Sequence, residues 1–596
     1  MMKRLAYFLL SALVLSSCGE DGVVNTIPEP APIPTPTPDP NPDPTPVPDD
    51  KPTAKQACWP ENYGGVMLQG FYWDSYTDTQ WSYLESQADD IAPYFSLIWV
   101  PNSGNCGGGN NMGYLPLYYF NQTSSFGSEA QLRSMISTYK KKGTGMIADV
   151  VINHHNTEDW FGFPSETYKG TNYQFKSTDI CKNDDSGKAA TAASTAGVKL
   201  SDNNDTGEDW DGTRDLDHKS ENTQKIVNAY LDFLLNDLGY TGFRYDMVKG
   251  YSASFTGLYN AKAAPKFSVG EYWEGSVSKV QNWIEGTKVS DFIQSAAFDF
   301  PFRYTCRDAV NGQQSSTMGK SRWGYLLNNS LATDKTYNRF AVTFVENHDT
   351  EYRSAQAEQD PIRRDTLAVN AWLLANPGTP CVFYKHWQAY KKDIKLMIEA
   401  RKLVGIHNQS EVANKSKSTD TFAARQVWGK NGSLIVVVGA DCNNFAAPEG
   451  FTELLTGYHY RYLVDSKCDQ STWAATVARI AEEEHTEPFT PHTATIYVKS
   501  DFTPVYFYVW DSNNNTQLNG DWPGKAITDQ VEIKGEKWYT QKFDIKTEGY
   551  YFNIIFNQGK DKPQTTDIGH VDSDKYYEIT IKDGKVEYKD VSSSMM

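Results

Sequence analysis

Residues 221–247 read ENTQKIVNAYLDFLLNDLGYTGFRYDM, and the fold class follows from how this stretch divides. Ile226, Val227, Tyr230, Leu231, Leu234, Leu235 and Leu238 recur at the period of a helix with one apolar face. Ser220 offers a cap at its start and Gly239 a stop at its end. Gly242–Met247 then reads as a short strand, which makes the stretch one step of a β/α alternation. Outward from it, strand-like runs recur at Val66–Tyr72, Leu97–Val100, Gly145–Ile152, Phe267–Tyr272, Asp291–Phe298, Phe340–Val345 and Cys381–Tyr384. Eight strands separated by helical stretches predict an α/β chain built on a closed parallel (β/α)8 TIM barrel, expected over 58–405.

One connection is far too long for an ordinary loop. The Gly-, Asp-, Asn- and Ser-rich segment 155–219, after the third strand, predicts an irregular subdomain near the rim of the barrel. Beyond the barrel, Phe422–Trp428 and Ser433–Val438 predict an antiparallel β domain over 406–490. Short strands at Ile496–Val498, Val505–Trp510, Lys537–Phe543, Tyr551–Phe556 and Tyr576–Ile581 predict a β-sandwich over 491–596.

The N-terminus reads as an address. Lys3 and Arg4 precede the apolar run Leu5–Leu15, the layout of a secretory signal and too short to span a bilayer stably. The run ends Leu15-Ser16-Ser17-Cys18, which resembles a bacterial lipobox and implies a signal over 1–18 with lipidation at Cys18. Residues 19–57 form a linker in which Pro28–Pro52 carries proline at nearly every second position. A polyproline II spacer of that length reaches about 75 Å. The expectation is an exported bacterial lipoprotein, held at a membrane and displayed on the cell surface.

Charge and cysteine content narrow the partners. Lys and Arg number 56 against 74 Asp and Glu, a net charge of −18, which lacks the basic footprint of a nucleic-acid binder. The seven cysteines besides Cys18 are scattered without CxxC spacing, so neither a disulfide scaffold nor a zinc site is expected. Export permits one or two bridges, of which Cys442–Cys468 is the pair expected; Cys381 reads as a buried thiol. Aromatic residues make up 13% of the chain, enough for both core packing and stacking on sugar rings.

In such a barrel, functional side chains sit at the C-terminal strand ends. The third strand runs into Asp149-Val150-Val151-Ile152-Asn153-His154, the fourth holds Arg244-Tyr245-Asp246, the fifth ends Gly270-Glu271, and the seventh ends Glu346-Asn347-His348-Asp349. Four strands thus deliver carboxylates, histidines and an arginine to one rim. These segments, DVVINH, GFRYDMVKG, GEYW and FVENHD, resemble the four signature regions of the α-amylase family of glycoside hydrolases, family 13. GYLP (113–116), DLDH (215–218) and NPGTPCVFY (376–384) extend the resemblance, and VMLQGFYWDS (66–75) makes it closest to plant-type members.

The resemblance implies a hydrolase that cleaves α-1,4 bonds of starch with retention. It implies Asp246 as nucleophile, Glu271 as acid/base, and Asp349 as a third carboxylate that binds and distorts the sugar. It implies His154 and His348 as sugar-hydroxyl contacts, Tyr114 as a stacking platform, and Lys249 on the aglycone side. Retention needs two carboxyl groups in different protonation states. Arg244 alternates onto the side of Asp246 and can hold it ionised, whereas Glu271 in a drier pocket is expected to have a raised pKa. Calcium is also implied, bound by Asn153, Asp205, the Glu208 carbonyl, Asp215 and the Gly250 carbonyl, with Asp209 serving a second ion. Calcium wants six to eight oxygens, which the acidic stretch 205–215 can supply. Gly250 is a departure, because many members carry histidine there.

In the last unit, Tyr506, Tyr508 and Trp510 alternate with Val505, Phe507 and Val509, so one face of that strand is aromatic. With DWPG (521–524) and FNQGKDKPQTTDIG (556–569), this resembles starch-binding modules of family 26 and implies sugar contacts at Tyr506, Tyr508, Trp510, Trp522, Gln564 and Thr565. The leading expectation is an endo-acting, monomeric α-amylase of starch. An exo-acting maltooligosaccharide-forming hydrolase or a transglycosylase of the same family is the alternative, separable by products. A non-catalytic glucan-binding protein would lack one of the three carboxylates, all of which are present.

Overall fold

The computed structural model describes residues 54–312, 321–353, 360–418, 421–484, 491–511, 516–546, 550–582 and 584–595. Cys18 and the proline-rich run lie outside them. Eight parallel strands close a barrel: β1 (Met67–Gln69), β2 (Leu97–Val100), β3 (Gly145–Val150), β4 (Gly242–Tyr245), β5 (Phe267–Gly270), β6 (Ala296–Phe298), β7 (Ala341–Thr343) and β8 (Thr379–Phe383). Closure is direct, since Met67 of β1 pairs with Leu97 of β2 on one side and Cys381 of β8 on the other. These strands are buried almost throughout, which is why they read as continuous apolar runs.

The helix before β4 starts at Glu221 with the Ser220 side chain accepting from the Thr223 N–H. It is α-helical to Asp232, widens into a π turn over Phe233–Leu238, and ends on Gly239 at φ +90°. The widened turn keeps Leu234 and Leu238 in the core. Of the expected barrel strands only Leu97–Val100 keeps its bounds; most of the others are shorter, and two of them show why. Ser290 and Asp291 take positive φ in a turn bridging Val289 and Phe292, so β6 begins only at Ala296. Tyr384 leaves β8 to open a helix, Tyr384–Ala389.

The segment after β3 contains a two-stranded ladder pairing His154–His155 with Arg214–Asp215, a hairpin (Glu166–Tyr168 with Thr171–Tyr173) and a helix, Lys188–Ala196. After the barrel come a five-stranded antiparallel sheet and a helix, Trp473–Glu483, neither of whose full extents the strand pattern foretold. Lys395, almost fully buried, docks that helix onto the barrel by ion pairs to Asp90, Glu483 and Glu484. The helix Thr366–Ala375 is buried on nearly every side because it lies between barrel and sheet, where the Tyr462 hydroxyl donates to the Ala371 carbonyl.

The expected Cys442–Cys468 bridge is absent, and every described cysteine is a free thiol. The sheet itself separates the two. Cys442 packs with Ile435, Val437 and Leu463 on one face, whereas Cys468 belongs to the core beneath Leu434, Val436 and Val464 on the other. Cys381 is buried in β8.

The C-terminal unit has two sheets, one of five strands and one of four. Val505, Phe507 and Val509 fill the core between them, and Tyr506, Tyr508 and Trp510 face outward from the four-stranded sheet.

Candidate active site

The rim is organised around Arg244 at the end of β4. Its guanidinium is 1% exposed and reaches three carboxylates: Asp149 at 2.8 Å, Asp246 at 2.7 Å and Glu271 at 2.7 Å. One buried cation among three acids leaves excess negative charge in a dry site. Burial raises the Glu271 pKa; Arg244 opposes this, and the neighbouring Asp246 and Asp349 add to it. A carboxyl so placed holds a proton at pH values where an ordinary one is ionised. Its second oxygen accepts from the Met247 N–H at 3.1 Å.

Asp149, on β3, stands in the third strand-end motif, but no role in the site followed from the sequence. Beyond Arg244 it accepts from Trp99 Nε1 and the Tyr114 hydroxyl, both at 3.1 Å. The available signal was an acid inside an otherwise apolar buried strand, which must be paired.

His348 bridges strand ends. Gln69, at the end of β1, lies 3.0 Å from its Nδ1, while its Nε2 is 2.8 Å from the Tyr114 hydroxyl and 3.1 Å from Asp349. Burial and the Arg244 charge lower its pKa well below the usual value, which favours the neutral ring. The partners assign the proton to Nε2, facing Asp349. Burial raises the Asp349 pKa against the opposing pull of Arg244 and Arg353. Tyr114 stacks on His348 with ring centroids 5.3 Å apart. His154 is buried, which lowers its pKa against the pull of Asp246; its Nε2 donates to the Tyr114 carbonyl at 2.8 Å and its ring packs on Trp210. Lys249 stands at the rim between Glu208 and Glu274, 3.6 Å from each.

The expected metal residues gather where the insertion meets β3. Asp184, Asp209 and Asp215 each offer an oxygen, all within 4.8 Å of one another. Asn153 Oδ1, Asp205 Oδ2 and Asp209 Oδ1 are buried without any hydrogen-bond partner. Unpaired buried oxygens are costly, and a hard cation resolves that cost. Asp184 was not foreseen, because it lies far before Asp215 in the chain with no motif linking them. The glycine at 250 has a steric reason: a Cβ there would collide with Asn153 Oδ1. The Glu208 side chain is largely exposed and turned toward Lys249, which leaves only its carbonyl for the cluster.

On the C-terminal unit, Tyr508 packs against both Trp510 and Trp522, with centroids 5.4 and 5.2 Å apart. With Tyr506 beside them, these half-buried rings make an open aromatic surface, and Gln564 is exposed next to it. Thr565 departs from the expectation. It is buried, and its hydroxyl accepts from the Phe556 N–H, so it shapes the turn instead of presenting a sugar contact.

Comparison with known proteins agrees with this geometry. The α-amylase catalytic-domain family matches residues 102–431, more than half of the chain, and starch-binding module 26 matches 496–570. Probable alpha-amylase 2 of Arabidopsis thaliana is 28% identical over 386 residues, covering 60% of this chain and 85% of that protein. Alpha-amylase 3, chloroplastic, of the same plant is 25% identical over 401 residues, covering 63% of this chain and 42% of its own length. The glucan 1,4-alpha-maltotetraohydrolase of Stutzerimonas stutzeri is 28% identical over 410 residues, covering 64% of this chain and 70% of that enzyme. A carboxylate-rich rim on a (β/α)8 barrel, matched over more than half its length, makes this chain a member of the α-amylase family, a glycoside hydrolase acting on α-1,4-glucans and carrying a starch-binding module.

Proposed function

We propose that the enzyme is an endo-acting, retaining α-amylase of starch, with Asp246 as nucleophile and Glu271 as acid/base. The observation that carries this is the sharing of Arg244 by both carboxyl groups, while burial raises the pKa of Glu271. In the first step an Asp246 oxygen bonds to the anomeric carbon. The bond from that carbon to the leaving oxygen breaks, and Glu271 gives its proton to that oxygen. In the second step Glu271, now ionised, takes a proton from water, the water oxygen bonds to the anomeric carbon, and Asp246 departs. Tyr114 and His348 hold the ring, and Asp349 with the Nε2 proton of His348 steadies its hydroxyls. Incubating amylose with wild type and with Asp246→Asn tests the scheme. Reducing ends should appear with the first only; equal release by both would overturn it.

Calcium is assigned to the oxygens of Asn153, Asp184, Asp205, Asp209 and Asp215, with the Glu208 and Gly250 carbonyls. Bound there, the ion would supply positive charge that ties the insertion to β3. The aromatic surface of Tyr506, Tyr508, Trp510 and Trp522 holds a second stretch of glucan.

An exo-acting reading is kept because two relatives are named glucan 1,4-alpha-maltotetraohydrolase. Product lengths from amylose over time decide. A mixture from the first minutes supports endo cleavage, and a single oligosaccharide from the start supports the alternative.

We also read the chain as an exported lipoprotein anchored at Cys18. Its support is Lys3, Arg4, the Leu5–Leu15 run and the Leu15–Cys18 sequence. Residues 58 and 59 pack at the pole opposite the catalytic rim: Cys58 N–H donates to the Ile293 carbonyl before β6, and Trp59 Nε1 to Thr379 at the entrance of β8. Cys18→Ser should move the protein from the membrane fraction to the soluble fraction; unchanged fractionation would remove the anchor.

A further inference from the structure

The segment that carries His348 and Asp349 is held at its far end by Glu351, a side chain outside every signature position. Glu351 is 2% exposed. One of its oxygens accepts from the Trp73 N–H, just past β1, at 2.8 Å. The other takes the Lys385 ammonium, just past β8. A single buried carboxylate therefore joins the exits of β1, β7 and β8.

What it holds bears directly on the sugar site. Trp73 lies nearly parallel to Tyr114 and to His348, with interplanar angles of 5° and 6°. The Arg353 guanidinium covers the Trp73 ring at 4.1 Å and extends to Asp349 at 3.5 Å. The Trp73 backbone and the Asp349 segment are thus fastened to the same carboxylate, and their side chains meet again through Arg353.

We propose that Glu351 is a positioning residue, fixing Trp73 and Asp349 relative to each other so that the distorted sugar meets both at once. It touches no substrate itself. Its effect is transmitted through the Trp73 N–H and through the two-residue connection to Asp349. Misplacing a reacting group by about 1 Å costs on the order of a hundredfold in rate. The interaction that matters is acceptance of the Trp73 N–H, which an amide oxygen can also provide. The negative charge toward Lys385 is secondary, because Lys385 is substantially exposed and can turn to water.

The test is steady-state hydrolysis of a soluble maltooligosaccharide by wild type, Glu351→Ala, Glu351→Gln and Lys385→Gln, with Asp246→Asn as the inactive control. Alanine is expected to lower kcat roughly 30-fold or more, while KM moves by less than about threefold. Glutamine should restore kcat to within about fivefold of wild type, and Lys385→Gln should stay within about threefold. Two outcomes overturn the proposal: a folded Glu351→Ala with kcat within twofold of wild type, or Glu351→Gln as impaired as Glu351→Ala. Should Glu351→Ala not fold, Glu351→Gln decides alone: a kcat within about fivefold of wild type supports the proposal, and a greater loss overturns it. An inactive wild type would count against the hydrolase reading and not against Glu351.

Discussion

The two carbohydrate surfaces of this protein use opposite physics. At the barrel rim, Arg244, Asp149, Asp246 and Glu271 are charged or titratable groups almost completely removed from water. On the C-terminal unit, Tyr506, Tyr508, Trp510 and Trp522 are neutral, half-buried rings. Burying charge is expensive, and it is tolerated where the chemistry needs fixed dipoles and shifted protonation. Holding a glucan needs only flat apolar area with hydrogen-bonding edges, which neutral rings supply at little cost. The first surface should therefore respond to substitution in rate, stability and pH, and the second only in affinity.

The largest expected effect is on rate. Asp246→Asn should lower kcat on the order of 10⁴-fold while leaving binding to granular starch unchanged. Equal loss of binding would merge the two surfaces into one. Next is stability. Arg244→Met leaves three buried carboxyl groups without their cation and should cost about 3–5 kcal/mol in urea unfolding near neutral pH. The cost should shrink as pH falls, because the carboxyl groups then take up protons; a pH-independent loss would mean that the cavity, not the charge, matters.

Calcium removal comes third. A cation present at about 100 times its Kd contributes roughly 2.7 kcal/mol. Chelation should lower the barrel's melting temperature and leave the C-terminal unit's transition in place. An unchanged melt after confirmed metal removal would break the assignment of the orphaned oxygens.

The pH profile follows. On the proposed mechanism Glu271 is protonated to donate, and its pKa is raised, so kcat/KM should hold through the ordinary carboxyl range near 4.3 and fall only as pH rises through the higher value. An alkaline limb at about pH 4–5 would contradict the burial argument. The smallest effect belongs to the second surface. Trp522→Ala should weaken starch binding by about 1 kcal/mol, roughly fivefold, with kcat on soluble substrate unaltered.

Much of this architecture is legible in the order of residues alone. The barrel strands read clearly because strands buried on both faces are mostly apolar, with the few polar side chains such as Asp149 and Arg244 paired inside. The helix ending at Gly239 reads clearly because its cap, period and stop agree. Strand-end position marks a set of rim acids that includes Asp246, Glu271 and Asp349, and the resemblance of their segments to the family's signature regions singles those three out. What escapes is contact between distant segments. Cys442 and Cys468 look like a pair in one dimension and lie on opposite faces of a sheet in three. Asp184 joins the cation cluster from a different turn of the insertion, and Thr565 sits inside a turn whose neighbours look exposed.

The sequence by itself determined the barrel strands, their order and the acids that follow them, because periodicity and strand-end position are local properties of the chain. Only the tertiary structure decided which acid shares which cation, which oxygens are left unpaired, and that Glu351 ties three strand exits together. Those depend on burial and on distances between residues far apart in sequence, where desolvation sets both the protonation state of a carboxyl group and the cost of leaving it without a partner.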